Sequence, residues 1–149
     1  MIGMNLAAGQ LCNVFAILIA IMFFYAASSK LLNYRMTKNE MLKQVFPRLI
    51  AMQLAWMVPF TELIVTYLLV IHTTQLAGFY AAAVLMASFS LYIAISATGI
   101  FGDLPCSCAG ILKKMSYNWH LVFNLFFLLI ALTGIAVKCH LTISWLDIS

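Results

Sequence analysis

Charge is the scarcest commodity in this chain. Asp, Glu, Lys and Arg make up 8% of its 149 residues, against 65% that are hydrophobic, whereas an ordinary soluble domain carries about 25% charged residues. The mean hydropathy of +1.05 agrees, and a soluble globule is excluded in favour of an integral membrane protein. No stretch alternates apolar and polar residues with a period of two, so a membrane β-barrel is excluded as well. The sequence has no glycine-rich phosphate loop, no nucleophile elbow, no paired carboxylates and no zinc-protease signature. Classical kinase and hydrolase chemistry therefore has no residues to work with. Internal repeats and low-complexity tracts are also missing.

What the chain does have is four long apolar stretches, at residues 11–32, 49–71, 76–96 and 119–137. Each is close to the ~20 residues that a helix needs to cross a ~30 Å hydrocarbon core. Backbone groups in lipid must satisfy one another within the segment, so all four are predicted to be helices. The expected fold class is all-α, an integral membrane four-helix bundle. One domain covers residues 1–149, with no length left for a separate soluble unit. The first stretch carries the small residues Ala26, Ala27 and Ser28, which a signal peptidase could accept. Its apolar run is long for a signal core, however, and residues 1–10 contain neither Lys nor Arg, so a retained span is predicted.

Two connections carry most of the polar residues. Residues 33–48 place Met36, Met41, Leu42, Val45 and Phe46 among basic side chains. Two readings stay open there, a short helix lying in the interface or a solvated basic turn closed by Pro47. With four spans, both termini and the short turn 71–76 share one face of the membrane, and the loops 33–48 and 97–118 share the other. Seven of the eight Lys and Arg residues, namely Lys30, Arg35, Lys38, Lys43, Arg48, Lys113 and Lys114, flank the loop face, and Lys138 alone lies on the terminal face. The positive-inside bias puts the loop face in the cytoplasm and both termini outside. The net charge of +4 is thus a matter of loop topology, not a nucleic-acid footprint.

The second loop carries Gly102-Asp103-Leu104-Pro105-Cys106-Ser107-Cys108-Ala109-Gly110. A disulfide between cysteines one residue apart closes a small, strained ring, and strained bridges are the exchangeable ones. On a cytoplasmic face a permanent bridge is disfavoured in any case. Zinc is the weaker reading, because structural sites space paired cysteines by two to four residues and need further ligands. Cys106 and Cys108 are therefore the candidate redox thiols, and no metal site is expected. Cys12 and Cys139 both fall near the terminal face. They read either as a second bridge or exchange pair, or as two small apolar residues at helix ends. Transfer between the two cysteine pairs, across ~30 Å, would need a quinone or another carrier.

Polar residues inside the spans are the other signal, because ionisable groups in hydrocarbon are costly and usually functional. Glu62 is the only acid within a span, and it follows Pro59, which can kink the helix. Counting ~1.5 Å per residue puts Glu62 roughly 20 Å from the loop face. It reads either as a hydrogen-bonded packing residue or as a proton-relay or quinone contact. Lys30, Gln53, His120 and Asn124 fall within two turns of the loop face, and His120 and Asn124, four apart, share one side of their helix. They are expected to form a polar ledge beneath the thiols, where a cation from Lys30 or His120 would favour thiolate. The alternative is simple snorkelling at helix ends.

Taken together, Phe24-Tyr25-Ala26-Ala27-Ser28-Ser29-Lys30, Pro59 with Glu62, Pro105-Cys106-Ser107-Cys108 and Asn124 resemble the MauE and DoxX-like membrane proteins over nearly the whole chain. Cys106-Ser107-Cys108-Ala109-Gly110 is similar to the family's Cys-x-Cys-x-Gly pattern, with Ala109 where an aromatic often stands. The resemblance implies a four-helix protein of the bacterial inner membrane that serves thiol–disulfide chemistry. It also implies a partner, a thioredoxin-like protein of the MauD type or another oxidoreductase, and a link to methylamine dehydrogenase maturation. Two alternatives belong to other classes: a non-catalytic scaffold for an oxidoreductase, and a small quinone-binding or transport subunit centred on Glu62.

Overall fold

A computed structural model describes residues 2–43, 46–99 and 117–146. Among these residues there are five helices: α1 (Ile2–Leu32), α2 (Tyr34–Leu42), α3 (Arg48–Val70), α4 (Gln75–Ala97) and α5 (Tyr117–Leu146). Four of them are long and apolar enough to cross a membrane, over Gly3–Leu32, Arg48–Val70, Gln75–Ala97 and Asn118–Ser144. The all-α membrane bundle expected from composition is the observed architecture. The outer helices run past the predicted stretches, which end at residues 11 and 137. Asn5, Gly9 and Gln10 dilute the apolar signal before residue 11 without breaking the helix, and Lys138 and His140 do the same after residue 137. At ~1.5 Å per residue these two helices exceed the hydrocarbon thickness, so their ends project past it or the helices tilt.

The helices form a ring in which α1 packs on α3 and α5, and α4 packs on α5 and α3. The core stripe of α1 is Cys12, Ala16, Ile19, Ala20 and Phe23, which meets Val65 and Leu69 of α3, Phe79, Ala82, Ala83 and Met86 of α4, and Ala131 of α5. Alanine is frequent here because lipid gives apolar helices no hydrophobic drive to associate. Close backbone approach and van der Waals contact replace it. Two glycines make the closest approaches. A Cβ on Gly78 would stand 2.8 Å from the Leu69 backbone nitrogen, and one on Gly134 would stand 2.5 Å from Cε1 of Phe79. The Phe79 ring thus fills a notch on α5. Outward-facing Ile21, Phe24, Ile64, Leu91 and Leu129 are exposed, as lipid-facing residues should be.

Of the two readings for the connection 33–48, the short helix is the one formed, over Tyr34–Leu42. The break between α1 and α2 is one residue, Asn33, and side chains satisfy the carbonyls that α1 leaves behind. Asn33 Nδ2 donates to the Ser29 carbonyl (3.2 Å) and Thr37 Oγ1 to the Lys30 carbonyl (3.3 Å). Helix α2 then lies against α3 with Met41 buried on Ala51 and Ala55. Pro47, extended at ψ 143°, opens α3. A four-residue turn joins α3 to α4, where Thr74 Oγ1 donates to the Leu68 carbonyl (3.1 Å).

Candidate functional site

Lys30 lies two residues from the end of α1, and Glu62 lies deep within α3. Rise along the two axes alone would keep them apart. The helices run antiparallel, however, and every helical Cα–Cβ bond leans toward its own N-terminus. The long Lys30 side chain therefore reaches down into the bundle while Glu62 reaches up, and Lys30 Nζ forms an ion pair with Glu62 Oε1. Both side chains are 1% exposed. The ammonium also stands 5.7 Å from the centre of the Phe89 ring of α4, within range of a cation–π interaction. A buried charge needs such partners, since neither lipid nor apolar side chains can replace its water.

Among the described residues Glu62 Oε2 accepts no hydrogen bond, and the buried hydroxyls of Ser29 and Ser90 have no partner. Ser29 precedes Lys30 on α1. Ser90 follows Phe89 on α4, within that helix's inward stripe of Met86, Ser90 and Ile93. Thr66 Oγ1 donates to the Glu62 carbonyl (2.9 Å), so the backbone at Glu62 is tied as well as its side chain.

The expected polar ledge is only partly assembled. His120 and Asn124 are both buried on one side of α5. Gln53 is exposed on the flank of α3 turned away from the buried Ala51, Ala55, Pro59 and Glu62. It does not join the ledge. Lys30 is committed to Glu62, and so connects two residues that axial counting kept apart. Cys106 and Cys108 lie outside the described residues, in the segment joining the end of α4 to the start of α5.

A second polar cluster, at the opposite end, had no counterpart in the sequence reading. Gln75, the first residue of α4, is buried and acts as its hub. Its Oε1 accepts from Lys138 Nζ (2.9 Å) and lies 3.9 Å from the Cys12 thiol, and its Nε2 donates to Asn13 Oδ1 (3.2 Å). The Cys12 sulfur also lies 4.0 Å from the Gly134 carbonyl. These contacts join α1, α4 and α5. A glutamine at the head of an apolar helix was the available signal, and a lone cation on the terminal face was the other half of it. Cys12 and Cys139 are both free thiols, Cys12 within this cluster and Cys139 against the Tyr80 hydroxyl. The bridge considered between them is not formed. Among the described residues no three of His, Cys, Asp and Glu gather as a metal-binding group.

The model of the family described as Methylamine utilisation protein MauE matches residues 8–137. The match takes in α2, α3 and α4 whole, most of α1 and α5, the Lys30–Glu62 pair and the Cys106–Cys108 segment, and it ends one residue before Lys138. Comparison with curated proteins and with solved structures gives no match.

Proposed function

The chain belongs to the MauE family, and from that premise we propose that it is a membrane-embedded accessory of thiol–disulfide chemistry in which Cys106 and Cys108 are the exchanging pair. One observation carries the choice. Of the four cysteines, Cys12 is packed into the core and Cys139 sits on a separate helix with no disulfide between them, so neither offers a paired, accessible thiol. The two remaining cysteines are one residue apart in the segment that joins α4 to α5.

The exchange balances without an external reagent other than the partner. One thiolate attacks a sulfur of the partner's disulfide, forming a mixed disulfide. The second thiol then displaces the partner, which leaves as a dithiol carrying two electrons and two protons. The reverse sequence oxidises the partner. A thioredoxin-like protein of the MauD type has the matching chemistry. Lys30 supports this arrangement by holding α1 to α3 through Glu62, and His120, at the start of α5, is the buried basic group that follows the thiols along the chain. We place the basic loop face in the cytoplasm of a bacterial inner membrane, on the distribution of Lys and Arg.

The test is a Cys106→Ser, Cys108→Ser double variant, followed by the thiol state of a co-expressed MauD-type partner. Loss of partner oxidation or reduction, with insertion intact, supports the proposal. Unchanged partner redox state sinks it, and if the partner still co-purifies the scaffold reading replaces it. Labelling Cys106 and Cys108 in intact cells with a membrane-impermeant thiol reagent fixes the side, since labelling before lysis would reverse the orientation.

A second reading, a quinone-binding or transport subunit, is favoured by Glu62 Oε2, which is buried without a hydrogen-bond partner among the described residues, next to the Lys30 ammonium that faces Phe89. Under it Glu62→Gln abolishes quinone reduction or flux and leaves the thiol state of Cys106 and Cys108 unchanged.

A further inference from the structure

We infer that the outward face of α2, together with the start of α3, is a binding surface for the headgroups of anionic phospholipids. The helix is nine residues long, too short to span, and it begins one residue after α1 ends. It therefore lies where α1 leaves the hydrocarbon, with Thr37 and Met41 turned inward and buried. Arg35, Asn39 and Lys43 recur at i, i+4 and i+8, so they share the side opposite those buried residues. All three are exposed, as is Arg48 at the start of α3. Glu40, the acid of this helix, is half-buried on another flank.

The surroundings of these cations decide what covers them. Leu32 is 85% and Leu49 77% exposed, and Met36, Phe46 and Ile50 are exposed too. An acidic soluble protein would neutralise Arg35, Lys43 and Arg48 but leave these apolar side chains in water. Neutral lipid would cover the apolar side chains and leave the cations without counter-charge. An anionic phospholipid supplies both, its acyl chains lying along Leu32, Leu49 and Ile50 and its phosphate meeting the cations. The surface is independent of the thiols, so the proposal stands or falls apart from the redox reading.

Trp56 provides the reporter, because its ring stacks on Phe60 at 5.1 Å between centroids and meets Tyr34 of α2 edge-on at 6.1 Å. The full chain carrying Trp119→Phe and Trp145→Phe is reconstituted in phosphatidylcholine vesicles. These contain a small, fixed fraction of acyl-brominated phosphatidylglycerol or, in parallel, of equally brominated phosphatidylcholine. Enrichment predicts that the brominated anionic lipid quenches Trp56 about twofold more strongly than its neutral counterpart. An Arg35→Gln, Lys43→Gln, Arg48→Gln variant should bring the two to parity, and Arg35→Lys, Arg48→Lys should keep the difference. Parity in the unsubstituted cations overturns the proposal, as does a difference that survives the triple glutamine variant. Inorganic phosphate should reduce the difference no more than chloride of equal ionic strength. A larger effect would make free phosphate the ligand and overturn the lipid assignment.

Discussion

Lys30 and Glu62 meet inside the bundle because two antiparallel helices aim their side chains at each other, and the ion pair they form ties α1 to α3 where lipid surrounds both. Removing one partner strands a charge, which typically costs about 3–5 kcal/mol. The two removals should differ. Lys30 lies near the end of α1 and its long stem can snorkel to the interface, whereas Glu62 has a short side chain deep in α3. Lys30→Met should therefore destabilise more than Glu62→Gln in detergent unfolding experiments. Lys30→Met combined with Glu62→Met should recover most of the loss, and equal effects of the two single variants would contradict the geometry.

Close helix packing gives a second prediction. Alanine at Gly78 would drive its Cβ into the backbone of Leu68 and Leu69, whereas alanine at Gly134 would meet the Phe79 ring. Both should destabilise, by about 1–3 kcal/mol. Only the second has a side chain that can be cut back. Phe79→Leu should therefore partly rescue Gly134→Ala and leave Gly78→Ala unchanged, read as a double-mutant coupling in thermal unfolding.

The spanning helices were legible because an apolar run of bilayer length has few other solutions, and the inward stripe of α1 follows helical spacing from Cys12 to Phe23. Their ends were less legible, since Asn5, Gly9 and Gln10 weaken hydropathy without stopping a helix. The Lys30–Glu62 pair escaped the sequence because counting residues locates Cα atoms along an axis and ignores side-chain reach and lean. Gln53 shows the converse. It lies at the expected depth but on the wrong side of α3, and depth says nothing about which neighbour a side chain faces. Gln75 went unmarked because an uncharged residue at a helix start looks like a boundary, although it binds three other side chains.

The thiols of the described helices should behave differently from those of an exchange pair. Cys12 is sealed in the core and Cys139, on α5, is not bonded to it, so mild oxidation should not link them. Maleimide labelling of a Cys106→Ser, Cys108→Ser variant should leave Cys12 unmodified until denaturant is added. A Cys12–Cys139 disulfide in peptide mass spectrometry would mean that α1 and α5 are arranged differently from the bundle described above.

Gln75 is the acceptor for Lys138 and for the Cys12 thiol and the donor to Asn13, so Gln75→Leu should release three side chains at once. Each buried or half-buried group left without its partner costs about 1–3 kcal/mol. Lys138 can turn toward water, because it lies near the end of α5 and is only partly buried, so the loss should fall at the lower end of that range. Lys138→Met should then cost less than Gln75→Leu in the same unfolding measurement. The reverse order would show that the Lys138 charge, and not the glutamine hub, holds α4 and α5 together at this end.

Thr37 couples the surface helix to the ion pair, because its hydroxyl donates to the carbonyl of Lys30 itself. Thr37→Val keeps the shape and the burial and removes the donor, leaving that carbonyl without its side-chain partner at the break between α1 and α2. The loss in global stability should be small, about 1 kcal/mol. Its local effect should be larger, because a nine-residue helix has little propensity to stand alone and depends on its contacts with α1 and α3. Amide hydrogen exchange should therefore accelerate across residues 34–42 in Thr37→Val while α4 and α5 keep their protection. Unchanged exchange in α2 would mean that Met41 against Ala51 and Ala55 holds the helix by itself, and that α2 and the Lys30–Glu62 pair are mechanically independent.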